Sequence, residues 1–246
     1  MGDALYLFID FDDTLSDFGL LGEQFVSELA RRLARDFGAD STTWAAALKP
    51  ELEASIARYA DRFTGDPLAG FRAWIAEERP RVVAAVFERA ETAVPTKEPL
   101  ATLGERLQSE SLVVCDATFT GAKDCLQELS DAGVRIQMAS SQESQYLAAA
   151  LSGTGIESLV EHHFGPDLLD CAKEGTEYYR RAFELCGIRP SQAIVVDDQA
   201  QCLDWAEEAG ARVVQACVKP DPADPEFPVV LRSLRDLPRL IRMGLA

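Results

Sequence analysis

Three times in the second half of the chain, an amphipathic stretch ends at a glycine and gives way to a short apolar run. "TGAKDCLQELSDAG" places Leu126 and Leu129 on one helical face, stops at Gly133, and is followed by "VRIQMA" (134–139). "EGTEYYRRAFELCGI", with Tyr178, Ala182 and Leu185 as its expected inner stripe and Gly187 as its stop, leads into "AIVV" (193–196). "LDWAEEAGARVVQACV" repeats the arrangement. Helices that must bury one stripe, alternating with short apolar strands, are accommodated by βαβ units around a parallel sheet. The opening run "LYLFI" (5–9) has the same character and fits a further strand buried on both faces.

Between about 17 and 110 the period changes to that of helices. Phe25, Leu29, Leu33 and Phe37 recur at i+4, and Leu52, Ile56, Tyr59 and Phe63 continue the pattern on a second helix. Further helices are expected at 67–77, at 80–93 with Pro80 in the first turn and Val82, Val83, Val86 and Phe87 inward, and at 99–109. The proline-rich segment "KPDPADPEFP" (219–228) predicts a surface loop before a short final helix near 233–243. The chain thus reads as a discontinuous α/β core, residues 1–16 and 112–246, interrupted after its first strand by an all-helical insert, residues 17–111.

Its 246 residues, 47% of them apolar, suffice for one large core and a smaller satellite. A formal net charge of -17 argues against nucleic acid and anionic membranes as partners. The six cysteines include no C-x-x-C pair, which disfavours zinc clusters and redox dithiols. Asp3 stands where a signal peptide would be basic, Tyr6 breaks a myristoylation pattern in "MGDALY", and no apolar run approaches the ~18–20 residues of a membrane span. A soluble cytoplasmic protein is expected, with its oligomeric state open.

In open α/β sheets, ligands bind beyond the carboxyl ends of the strands. After "LYLFI" come Asp10, Asp12, Asp13 and Thr14; after "VRIQMA" come Ser140 and Ser141; after "AIVV" come Asp197 and Asp198. Carboxylates gathered at one sheet edge repel one another, and a divalent cation relieves that repulsion. Oxygen ligands of this kind suit Mg²⁺ together with a substrate phosphate.

"DFDDTL" resembles the D-x-D-x-T signature of the haloacid dehalogenase superfamily of phosphatases and phosphotransferases. The family's other motifs are matched in order by "QMAS" at Ser140, "AKEGTEYY" at Lys173 and "VVDDQAQCLDWAEEAGA" at Asp198. The resemblance implies a Rossmann-like parallel sheet core with a helical C1-type cap, placed where the insert lies. It implies Asp10 as nucleophile, forming an aspartyl-phosphate, and Asp12 as general acid and then base. It further implies Mg²⁺ held by Asp10, the Asp12 backbone carbonyl and Asp198, with Ser140, or its neighbour Ser141, and Lys173 on the phosphate oxygens. Thr14 would orient the loop, and Asp197 would position Lys173 or the metal waters.

Some positions depart from the family pattern. Cys202 stands where many members carry a second aspartate, so Asp204 is expected on the surface; Asp13 stands where glycine is common, and no role follows for it. His162 and His163 fall in a part of the core that is usually structural. The expected activity is hydrolysis of a small phosphorylated metabolite, with a phosphomutase or a non-catalytic binding protein as alternatives. A dehalogenase would need no carboxylate at Asp12, and a phosphonatase would replace Asp12 and offer a cap lysine, for which only Lys49 and Lys97 are present in the insert. The segment "RFTGDPLAGF" (62–71) is a candidate for the loop facing the substrate's organic portion, with Arg62 as a candidate anion contact or a surface charge.

Overall fold

A computed structural model describes residues 4–220 and 224–244, so the start of "MGDALY" and residues 221–223 of the proline-rich segment lie outside it. Among the described residues, β1 (Tyr6–Ile9), β2 (Arg135–Ala139), β3 (Val160–Phe164), β4 (Ala193–Asp197), β5 (Arg212–Ala216) and β6 (Val230–Leu231) form one parallel sheet. Their order, β3-β2-β1-β4-β5-β6, sends the chain outward to one side from β1 and then to the other from β4. A crevice therefore opens where β1 and β4 meet, at the strands' carboxyl ends. Ile9 pairs in register with Met138 on one side and Val196 on the other, so the residues following β1, β2 and β4 emerge at one level.

Strand residues alternate between two buried faces. Leu7, Ile9, Met138 and Val196 point toward α5 (Ala122–Asp131), α6 (Ser144–Ser152) and α10 (Leu237–Arg242). Tyr6, Phe8 and Val195 point toward α8 (Thr176–Cys186) and α9 (Ala200–Glu208). The inner stripe of α8 is Tyr178, Tyr179, Ala182 and Phe183. Leu185, expected inward, is 61% exposed, because Tyr179 and Phe183, one residue on from Tyr178 and Ala182, take the buried side, with Phe183 packed edge-on against Phe8 and Tyr179 against Phe183. The final helix is α10, preceded by a 3-10 turn at Leu234–Asp236. A short helix α7 (Pro166–Leu169) follows β3.

The insert contains α1 (Phe18–Phe37), α2 (Ser41–Phe63), α3 (Phe71–Arg89) and α4 (Leu100–Leu112). Asp17 and Asp40 cap α1 and α2 by accepting from the N–H groups of Leu20 and Thr43. The four helices share a cluster of their own around Leu33, Trp44, Phe87 and Leu103, with Phe87 held edge-on between Phe37 and Trp44. Pro80, expected to begin a helix, instead lies inside a continuous α3. The residues flanking it are paired on both sides: Glu78 accepts from Arg58 of α2 and from Arg81 one turn on, and Arg79 donates to Glu105 of α4. Proline removes one N–H from the helix, and these pairs hold the turns on either side of it. No helix among the described residues is long and apolar enough to cross a membrane.

Candidate active site

Beyond β1 the backbone makes one further ladder bond, from Asp10 N–H to Val196 O at 2.9 Å, and then turns sharply. Phe11 O accepts from both Leu15 and Ser16, and Phe11 and Leu15 are buried in the core. The loop is thereby fixed with Asp10, Asp12 and Asp13 facing a cavity of about 580 Å³. Asp13 takes a left-handed φ of 58°, where glycine would be least strained. Its carboxylate accepts from the Phe18 N–H at 3.1 Å and from Lys219 Nζ at 2.8 Å. Asp13 therefore joins the strand-end loop to the start of α1 and to the residues after β5.

Lys173 lies 5% exposed in the loop before α8. Its ammonium donates to Asp10 Oδ1 (2.7 Å), Asp197 Oδ2 (2.7 Å) and Ala139 O (2.8 Å). An ammonium has three protons, and all three are engaged. Burial lowers its pKa, but Asp10 and Asp197 outweigh burial and hold it well above the ordinary lysine value. Burial, reinforced by Asp197 and Asp12, pushes Asp10 well above the usual carboxylate range in spite of Lys173. One lysine does not compensate this many carboxylates.

The remaining charge collects at Asp198. Carboxylate oxygens of Asp10, Asp197 and Asp198 all lie within 4.8 Å of one another. Asp197 is committed to Lys173 and to the Gln199 N–H, whereas Asp198 Oδ1 and Asp12 Oδ1 are buried without a hydrogen-bond partner. Burial, together with Asp197 and Asp13, pushes Asp198 up to about 7. Like-charged oxygens at such close range, one of them the orphaned oxygen of Asp198, fit a divalent cation. Burial also pushes Asp12 up to about 6, moderated by Gln142, whose amide donates to Asp12 Oδ2 at 2.8 Å.

Ser140 follows β2, fully buried, and its Oγ accepts from the Gln142 N–H at 3.2 Å. Neither it nor Ser141 begins a helix: α6 starts at Ser144, whose N–H donates to Asp167 at 2.7 Å. Ser141 is exposed and lines the cavity. Thr14 is fully buried, and its hydroxyl has no partner among the described residues, so the loop is fixed by backbone bonds and not by that oxygen. Cys202 lines the cavity, Asp204 is exposed on α9, and His162 and His163 lie on the edge strand β3, His162 bonded to Gln137. Arg62 donates to Ala69 O within its own loop, and Pro67 O accepts from the Ala172 N–H at 2.8 Å. Of the segment 62–71, expected to face the substrate, only Phe71 lines the cavity, while Phe63 and Pro67 lie against the lysine loop at Ala172. Gln142 was not anticipated from the sequence, since nothing in "SSQES" distinguishes it before β2 and β1 are set side by side.

Residues 6–210 match the haloacid dehalogenase-like hydrolase family, and the chain belongs to that family. Its fold is shared by a 2-haloacid dehalogenase from Pseudomonas syringae pv. tomato DC3000 (TM-score 0.68, 19% identity, 98% of this chain and 100% of that one). YfnB from Bacillus subtilis, in a magnesium-bound structure, aligns with TM-score 0.63 and 16% identity over 98% and 99% of the two chains. A HAD phosphatase from Thermococcus onnurineus aligns with TM-score 0.62 and 16% identity over 96% and 97%. No curated protein matches the chain.

Proposed function

We propose that the chain is a Mg²⁺-dependent phosphomonoester hydrolase acting on a small phosphorylated molecule in the cytoplasm, with the four-helix insert as a cap over the site. The observation that carries this reading is Asp12. It faces the cavity two residues from Asp10, and its pKa of about 6 suits a group that gives and takes a proton near neutrality.

Asp10 attacks phosphorus, the ester P–O bond breaks, and the Asp12 carboxyl gives its proton to the departing oxygen. Asp12, now a carboxylate, takes a proton from the water that attacks the aspartyl-phosphate, which releases inorganic phosphate and restores Asp10. Mg²⁺, held by Asp10, the Asp12 backbone carbonyl and Asp198, would supply positive charge between nucleophile and phosphate. With its three protons engaged, Lys173 acts through charge on Asp10 and on the phosphate, and Asp197 holds it in place. The Ser140 hydroxyl accepts from Gln142 and keeps its own proton for a phosphate oxygen, beside Ser141 at the cavity wall.

The purified protein is expected to release phosphate from p-nitrophenyl phosphate or acetyl phosphate with Mg²⁺, and Asp10→Asn to abolish release. Turnover that survives Asp10→Asn, or continues undiminished in EDTA, overturns the mechanism. Halide release from 2-chloropropionate without metal would establish dehalogenation instead. Recovery of an isomeric phosphate ester in place of free phosphate would establish a mutase.

A further inference from the structure

Resting on the phosphatase reading above, we propose that the leaving group is an apolar alcohol: the substrate is the monophosphate ester of an aliphatic chain carrying no second charged group.

The cavity is not confined to the strand ends. From Asp10, Asp12 and Asp198 it continues into the insert, where its wall includes Leu29, Leu33, Leu48, Leu52, Val83 and Phe87. Several of these belong to the insert's own core cluster, so the helices leave space along the face they would otherwise close on themselves. Ile56, 60% exposed on α2, also lines this space. A large apolar side chain kept open beside a cavity gains from an apolar occupant that displaces water.

The charges in the wall point the same way. Arg79 is committed to Glu105 and Glu143, Glu78 to Arg58 and Arg81, and Lys173 to its three acceptors. Among the described residues, no lining cation is left for a second phosphate or a carboxylate. The uncharged polar side chains that the insert adds are those of Ser55, Tyr59, Trp74 and Gln108, too few to replace the water around a sugar ring. Nucleotides, sugar phosphates and phosphorylated acids would each bring more polar groups than this wall can pair, whereas an alkyl chain brings none.

The test is a series of n-alkyl phosphates from methyl to hexyl, compared with glucose 6-phosphate, glycerol 3-phosphate and AMP, using the Mg²⁺-loaded enzyme. The expected result is a kcat/KM that rises by up to about three- to fourfold per methylene and exceeds that for the polar esters. Two variants probe the wall. Ile56→Asp charges an exposed position, and Gly22→Leu fills the cavity from α1 at a site where an added Cβ meets nothing within 4 Å. Each should flatten the chain-length dependence. In the Asp10→Asn protein, the dissociation constant for hexyl phosphate should be lower than that for methyl phosphate by calorimetry. A flat or inverted dependence, or preference for a polar ester, overturns the substrate assignment while leaving the phosphatase reading intact. Absence of phosphate release from every ester overturns the phosphatase reading and the substrate assignment with it.

Discussion

Asp13 shows what a single residue can hide. In the sequence it is a third carboxylate beside two with assigned chemistry; in the structure it holds the first N–H of α1 and the ammonium of Lys219. Asp13→Ala should lower stability by about 1–2 kcal/mol in urea denaturation, through the lost cap and a strained φ. Asp13→Gly should lose less, since glycine accepts that φ. Gln142 acts on chemistry instead of stability. Its amide favours the ionised form of Asp12, so Gln142→Leu should raise the Asp12 pKa beyond about 6. The limb of the kcat/KM profile that belongs to this group should then move to higher pH, and an unmoved limb would assign it to another residue. Asp10 and Asp12 were legible because they follow an apolar run at a fixed spacing. The partner of Asp12 was not, because it lies 130 residues away along the chain.

At the scale of elements, two strand ends, those of β1 and β4, bring like charges together at one edge, and the cost of doing so depends on pH. Asp12 and Asp198 sit at about 6 and about 7, above the ~3.9 of an unfolded aspartate, so the folded state binds more protons between these limits. Stability of the metal-free protein is therefore expected to rise as pH falls from about 8 toward about 5, and to fall again as pH climbs through the folded values. Adding Mg²⁺ at pH 8 should raise Tm, and Asp198→Asn should reduce both that gain and the pH slope. A metal-free Tm that climbs with pH over this range would contradict the argument. Strands with continuous apolar runs were readable from sequence, as were the glycines that end α5 and α8. Helix detail was less so: Pro80 looks like a start, and Leu185 fits the stripe of Ala182 as well as Phe183 does, because only packing across the bundle and the sheet decides between them.

For the molecule as a whole, the contacts between insert and core matter most. Arg79 of α3 pairs with Glu143, the neighbour of Gln142, and Arg72 donates to Asp167 O and Leu168 O beside the residue that caps α6. Arg79→Ala removes the pairs with both Glu105 and Glu143 and should lower kcat/KM by roughly ten- to a hundredfold through the second, which positions the neighbour of Gln142. Unchanged kinetics with a lowered Tm would mark Arg79 as structural only. The insert's position in the chain was evident from its change of period, whereas these docking contacts link residues whose sequence neighbourhoods carry no common signal.

The bond from Ala172 N–H to Pro67 O ends one residue short of Lys173. Through that bond the insert bears directly on the segment that carries Lys173, whose ammonium donates to Asp10. Any displacement of the helices at Pro67 would be felt by the backbone that sets this ammonium against Asp10 and Asp197.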